Sequence, residues 1–274
     1  MRRPKQAELP MSKKWLVDGF CRFTHRMVAK QFISFGLQAD LLKIDSISDN
    51  TPIVVYANHA SWWDPIVAML IRKAYFPSRI FYAPIDSIAL ENYRIMAKIG
   101  FYGLSLGTLA GASEFLTTTK RILESKNASV WITPEGRFTD ARDYSQSLMP
   151  GLAHLASRVH GVVFIPLALE YAFWDESRPQ IFARLGAPIC DPELQRVSHS
   201  SDKSTWNELL TSRLRQTQTE LAKSVMARDP SRFEYLINSR PIRLGWYDYL
   251  RSWSAWVQGK KFDPRHRADS AEVR

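Results

Sequence analysis

The sequence has few of the features that mark several large classes of protein. Its 274 residues include two cysteines, Cys21 and Cys190, which provide neither a disulfide framework nor the spacing of a zinc site. No run approaches the ~20 apolar residues needed to cross a bilayer, and residues 1–10 are not followed by a signal-peptide pattern. We therefore expect a reducing, cytoplasmic location and a peripheral position on the inner face of the cytoplasmic membrane.

Charge and motif content restrict the partners further. The formal net charge of +10 favours anionic partners, such as nucleic acid or an anionic membrane surface. No zinc-finger spacing, ribonucleoprotein motif or recognition helix accompanies that charge. We predict a membrane-surface partner and no nucleic acid.

A histidine and an aspartate follow an apolar, strand-like run at residues 53–57. His59 comes directly after this run, and Asp64 comes five residues later. A strand that turns into a helix can fold these two side chains towards each other, and a carboxylate that orients an imidazole produces a general base. The alternative is a surface histidine beside a helix-capping aspartate.

A second stretch, at residues 134–137, also follows a strand-like run. Gly136 permits backbone torsions that other residues resist. Arg137 offers a planar fork of donors that suits phosphate or carboxylate. An ordinary surface loop with no role in binding remains the alternative.

Taken together, these stretches resemble the glycerolipid acyltransferase family, the lysophosphatidic acid acyltransferases and their relatives. The first motif of that family, His-x4-Asp, corresponds to His59 and Asp64, with Asn58 before them. The third motif corresponds to residues 134–136, and the fourth, an apolar strand broken by proline, to residues 164–168. The resemblance covers roughly residues 44–188.

The resemblance implies transfer of a fatty acyl group from acyl-CoA or an acyl carrier protein to a lipid hydroxyl. It implies that His59 is the base and Asp64 its orienting acid, with no metal and no other cofactor. The substrate-binding residues that it implies are Asn58, Glu135, Gly136, Arg137 and Pro166.

Two departures from the family pattern bear on the acceptor. Residues 100–106 contain no cation where many members carry an arginine. Arg137 follows Gly136 directly, whereas the usual third motif, Pro-Glu-Gly-Thr-Arg, has one residue between them. The acceptor predicted first is 1-acylglycerol-3-phosphate or a related lysolipid. A glycolipid or isoprenoid glycoside is the alternative acceptor. A non-catalytic membrane-surface protein of the same fold, and a serine hydrolase that uses Ser61 with His59, are the alternative functions.

Short strands that alternate with helices predict an α/β fold with a mostly parallel sheet covered by helices on both faces. Strands are predicted at residues 41–44, 53–57, 80–83, 129–133, 162–171 and 181–185. Helices are predicted at residues 65–73, 87–98, 111–125, 151–160 and 204–228. The predicted domains are an N-terminal tail and helix at 1–36, the acyltransferase domain at 37–230 and an extension at 231–274.

The two flanking regions have amphipathic or aromatic patterns. Residues 13–30 predict an amphipathic helix with Leu16, Phe20, Phe23 and Met27 on its apolar stripe. A basic amphipathic helix can lie in a membrane interface, or it can pack on the core. The extension is predicted to be helical and aromatic-rich, with a charged tail after residue 263. Its aromatic and apolar residues are Trp246, Tyr247, Tyr249, Leu250, Trp253, Trp256 and Val257.

Overall fold

The computed structural model describes residues 10, 12–189, 203–239, 253–254 and 256–258. The strands are β1 Ser34–Ala39, β2 Ile53–Ala57, β3 Ile80–Asp86, β4 Phe101–Leu104, β5 Ala128–Ile132, β6 Val163–Ala172, β7 Gln180–Leu185 and β8 Glu234–Asn238. The helices are α1 Lys14–Gln31, α2 Leu41–Asp45, α3 Asp64–Tyr75, α4 Ser87–Asn92, α5 Leu109–Leu123, α6 Pro150–Ala156 and α7 Lys203–Met226. Turns of 3-10 helix lie at Met96–Ile99 and Pro230–Arg232.

The strands form one sheet in the order β4-β3-β5-β2-β6-β7-β1-β8. Strands β2 to β6 run in the same direction, β7 is antiparallel to β6, and β8 is antiparallel to β1. This arrangement confirms the predicted α/β fold with a mostly parallel sheet. The carboxyl ends of β2 to β6 meet at one edge, which is where sites collect in open sheets of this kind.

Helices cover both faces of the sheet, which also agrees with the prediction. All five residues of β2 are buried, because the strand lies between β5 and β6 and is covered from above and below. Val55 faces the cluster that contains α1 and α3, whereas Val54 and Tyr56 face α5, α6 and α7. A run of β-branched and aromatic residues suits such a doubly covered strand.

Some predicted elements differ from those observed. Residues 41–44 were predicted as a strand, but they lie in α2, and the neighbouring strand is β1. The predicted helix at 87–98 is interrupted, with α4 ending at Asn92 before the 3-10 turn. The strands β1, β4 and β8 were not predicted. Gly36 interrupts the alternation of β1, β4 has only four residues, and β8 is a half-exposed strand at the edge of the sheet.

The stripe that α1 buries agrees with the predicted one only in part, with Leu16 and Phe20 half-buried against the core. Its buried residues are Val17, Cys21, Thr24 and Val28. Phe23, which was predicted on the apolar stripe, is 61% exposed. The apolar face of α1 therefore packs on the core, while Phe23 and several basic residues face outwards.

The sheet extends beyond the predicted domain limits. Strand β1 begins at Ser34, before the predicted boundary at 37, and β8 follows the boundary at 230 while pairing with β1. In the extension, Trp253 and Trp256 are helical and exposed. The remaining aromatic and apolar residues predicted there, except Val257, and the N-terminal residues 1–9, lie outside the described residues. None of the helices in the described part of the chain has the length and apolar character to span a membrane.

Candidate active site

The turn between β2 and α3 brings His59 and Asp64 together. His59 Nδ1 lies 2.7 Å from Asp64 Oδ2, and the same oxygen accepts a hydrogen bond of 3.0 Å from the backbone N–H of Ser61. Asp64 is the first residue of α3, where the helix dipole stabilises a negative charge. The strand-to-helix turn thus produces the contact that the spacing of the two residues predicts.

Tyr171 completes the surroundings of the Asp64 carboxylate. Its hydroxyl donates to Asp64 Oδ1 over 2.7 Å, and the Asp64 side chain is only 2% exposed. Burial and the neighbouring Asp64 charge raise the pKa of Tyr171 well above its ordinary value, so the phenol stays protonated as a donor. Sequence reasoning missed Tyr171, although it stands near the end of the strand that carries the fourth motif.

These contacts fix the orientation of the imidazole. An ionised carboxylate can only accept hydrogen bonds, so the hydrogen of a neutral His59 ring resides on Nδ1 and the lone pair on Nε2. The His59 side chain remains 18% exposed, and the ring of Phe138 packs against it with centroids 4.3 Å apart. The arrangement can therefore accept a proton at Nε2 from a bound molecule.

Glu135 holds the backbone of His59. Its Oε2 accepts hydrogen bonds from the His59 N–H at 2.8 Å and from the Thr139 hydroxyl at 2.7 Å. Its Oε1 accepts from Arg215 of α7 at 2.8 Å, and its side chain is fully buried. The Thr139 N–H also donates to the His59 carbonyl at 2.9 Å. We predicted Glu135 as a substrate-binding residue; the contacts observed join its buried carboxylate to the backbone of His59.

Asn58 was also predicted to bind substrate, but its side chain is used within the fold. Its amide donates to the Leu169 carbonyl at 2.9 Å and accepts from the Leu169 N–H at 2.8 Å. The residue is completely buried. Asn58 therefore continues the pairing of β2 with β6 beyond the end of β2.

The other three predicted residues have different surroundings. Pro166 is buried within β6 opposite Tyr56, and its carbonyl accepts from the Gly186 N–H. Gly136 has a φ of 68°, and a Cβ there would lie 2.4 Å from Met149 Sδ. Arg137 is exposed, and its guanidinium donates to the Gln146 side chain.

A cavity of about 300 Å³ opens beside Tyr171. It is lined by Ala60, residues 139–142 and residues 170–172. Arg142 lies in its wall and donates to the buried Glu170 carboxylate. Sequence reasoning missed this arginine, which lies five residues beyond Arg137.

A Gly-x-Ser-x-Gly pattern occurs at residues 103–107, which sequence reasoning overlooked. Ser105 follows β4, and its hydroxyl contacts Glu114 at 3.5 Å. A nucleophile elbow strains its serine in a sharp strand-to-helix turn, but Arg228 is the one non-glycine residue with positive φ in the described part of the chain. Ser105 therefore does not have the geometry of a hydrolase nucleophile.

Comparison with known proteins identifies a family for the part of the chain that contains His59 and Asp64. A search of curated proteins finds no match. Residues 40–170 match the family model described as Acyltransferase, and this span includes β2, α3 and the loop that contains Glu135. Residues 40–170 therefore match the acyltransferase family, which confirms the resemblance predicted from the motifs in this segment.

Proposed function

We propose that the protein transfers a fatty acyl group from an acyl thioester, either acyl-CoA or an acyl carrier protein, to a hydroxyl group of a lipid. The observation that carries this proposal is the 2.7 Å contact between His59 Nδ1 and the buried Asp64, which leaves Nε2 free as a base. The match of residues 40–170 to the acyltransferase family supports the same class of reaction. The proposed acyl transfer needs neither a metal nor a cofactor.

In the proposed reaction His59 Nε2 takes the proton of the acceptor hydroxyl while its oxygen attacks the thioester carbonyl. Asp64 stabilises the imidazolium that forms, and Tyr171 and Ser61 hold Asp64 in place. The tetrahedral intermediate collapses with cleavage of the C–S bond and formation of the ester. The departing thiolate recovers the proton from His59.

The cavity beside the base supports an acceptor with an uncharged headgroup. Its one arginine, Arg142, is already paired with Glu170, and Asp140 adds a further negative charge. A phosphate placed there would meet two carboxylates and a cation that is already neutralised. Hydroxyl groups can instead bond to the acids and to Thr139, so we propose a glycolipid or isoprenoid glycoside. The second candidate is 1-acylglycerol-3-phosphate or a related lysolipid, which the resemblance favours.

The acceptor panel is the direct test. Purified protein is incubated with radiolabelled acyl-CoA or acyl carrier protein and with a monoacylated glycolipid, an isoprenoid glycoside, a lysophosphatidate or no acceptor. We expect a labelled ester with the uncharged acceptors, and at least ten-fold less with lysophosphatidate. Faster transfer to lysophosphatidate contradicts the headgroup assignment. Thioester turnover that never depends on an acceptor contradicts acyl transfer itself and favours hydrolysis or a non-catalytic role.

We also propose that the carboxyl edge of the parallel strands rests on an anionic membrane. Large apolar side chains follow each of four strands at this edge and are at least half exposed: Trp62 after β2, Ile88 after β3, Leu106 and Leu109 after β4, and Phe138 after β5. Apolar side chains grouped in this way suit a lipid interface. The net charge of +10 favours anionic headgroups. This arrangement lets a lipid acceptor reach His59 from the inner face of the cytoplasmic membrane.

Binding to vesicles tests this surface. We expect the Leu106→Ser/Leu109→Ser variant to lose at least ten-fold in affinity for phosphatidylglycerol vesicles in a flotation assay, because two exposed leucines no longer enter the lipid. The matched control is Leu42→Ser/Met226→Ser, which removes two exposed apolar side chains from other surfaces. Equal loss in both variants, or none in either, contradicts the proposed surface.

A further inference from the structure

A second cavity, of about 380 Å³, lies between α1, the second half of α3 and β8. Its floor is apolar and includes the buried residues Cys21, Leu70 and Ile237. It shares no lining residue with the cavity beside Tyr171. Lys73 in its wall comes nine residues after Asp64, which is about 13 Å along α3. The cavity is therefore separate from the His59–Asp64 pair.

The rim of this cavity is basic. Arg22, His25 and Arg26 project from α1, and Lys73 projects from α3. Arg22 and Arg26 are one helical turn apart, a spacing at which like charges repel each other. Within the described residues, none of these four side chains forms an ion pair with an acidic group, and Asp18, one turn before Arg22, does not do so either. No ion pair within the described residues therefore neutralises Arg22, Arg26 or Lys73, which leaves these cations available to an anion at the rim.

We propose that this cavity binds a phosphate monoester attached to an apolar chain. A phosphate monoester carries up to two negative charges, and the guanidinium groups of Arg22 and Arg26 with the Lys73 ammonium supply the matching donors. The apolar floor then receives the first carbons of the chain. An inorganic phosphate satisfies only the rim, and a fatty carboxylate carries half the charge. The proposal does not depend on acyl transfer, because it concerns different residues and a bound ligand rather than a reaction.

Calorimetric titration of the full chain with dodecyl phosphate, below its micelle concentration, tests the site. We expect saturable binding of dodecyl phosphate to the unmodified chain. The Arg22→Ala/Arg26→Ala variant is expected to bind one molecule fewer. The matched control is Lys126→Ala/Arg158→Ala, which removes the same charge from exposed positions elsewhere. We expect this control to bind as many molecules of dodecyl phosphate as the unmodified chain, with an affinity within about two-fold. Loss of one bound molecule in both variants points to non-specific charge attraction and overturns the site.

Two further measurements distinguish the contribution of the cavity from that of the cations around it. Ala74→Trp, at an exposed position on the rim, fills the cavity and leaves every cation in place. We expect at least ten-fold weaker binding of dodecyl phosphate to this variant, and at least ten-fold weaker binding of inorganic phosphate and of dodecanoate to the unmodified chain. Unchanged binding by Ala74→Trp overturns the cavity assignment, and equal affinity for inorganic phosphate overturns the apolar component. His59→Ala is expected to bind as many molecules of dodecyl phosphate as the unmodified chain, which distinguishes failure of this site from failure of the proposed acyl transfer.

Discussion

Replacement of His59 by alanine is expected to lower acceptor-dependent acyl transfer by roughly 10²–10⁴-fold, the usual contribution of a positioned general base. No other group in the described site stands where it could take the acceptor proton with a carboxylate behind it, since Asp64 is oriented towards Nδ1 of His59. The fold is expected to persist because Glu135 and Thr139 hold the backbone of residue 59. Initial rates at saturating donor, with circular dichroism as the folding check, measure the effect.

Several variants make this experiment specific. His160→Ala removes an exposed histidine that precedes β6, at the amino ends of the parallel strands, and is expected to retain full activity. Ser61→Ala and Ser105→Ala test the hydrolase alternatives, and we expect each to keep activity within a few-fold. A folded His59→Ala protein with near-normal rates removes His59 from the reaction. Loss of turnover in either serine variant revives a nucleophilic serine.

Asp64→Asn is the companion change, since it preserves shape and removes charge. The amide cannot stabilise an imidazolium as a carboxylate does, and it can donate to Nδ1, which selects the wrong tautomer. We expect kcat to fall by a factor similar to that for His59→Ala, while the KM for the acceptor changes little. A rise in KM with an unchanged kcat contradicts the orienting role of Asp64.

Strand β2, helix α3 and the His59–Asp64 contact could be predicted from the sequence because they depend on local patterns. The apolar run of β2 leads directly into the turn, and the two residues are five positions apart. Strand β1 and the edge strand β8 give no such signal, because they pair with each other across about two hundred residues of chain, beyond the reach of a local pattern. The same limit explains why Tyr171, 107 residues from Asp64, was missed.

Long-range contacts also explain why the predicted substrate-binding residues were found with partners inside the fold. Sequence resemblance identifies Asn58 and Glu135 as motif residues, but only the fold shows that their polar atoms are already bonded, to Leu169 and to Arg215. Arg215 lies 80 residues from Glu135, on α7. Asn58 and Glu135 hold backbone next to the site, whereas Arg142, outside any motif, lines the cavity itself.

Glu135→Ala is expected to lower the free energy of unfolding by ~3–5 kcal/mol, because it leaves the Arg215 guanidinium, which is only 13% exposed, without its acid. It also deprives the His59 N–H of its acceptor, so kcat falls in the fraction that folds. Urea denaturation followed by circular dichroism measures the first effect. Glu220→Ala is the control: it removes a half-exposed partner of Arg184 and is expected to cost less than about 1 kcal/mol.

Because Glu135→Ala can fail to fold, Glu135→Gln keeps the test decisive. Glutamine preserves the shape and one acceptor oxygen, but it removes the charge that Arg215 faces. If Glu135 positions His59, kcat falls by at least ten-fold and the KM for the acceptor stays nearly constant. A substrate-binding Glu135 raises KM instead. The Glu135→Gln/Arg215→Met double variant is expected to recover stability relative to either single variant, since neither charge is then buried alone; strictly additive losses contradict the coupling between Arg215, Glu135 and the backbone of His59.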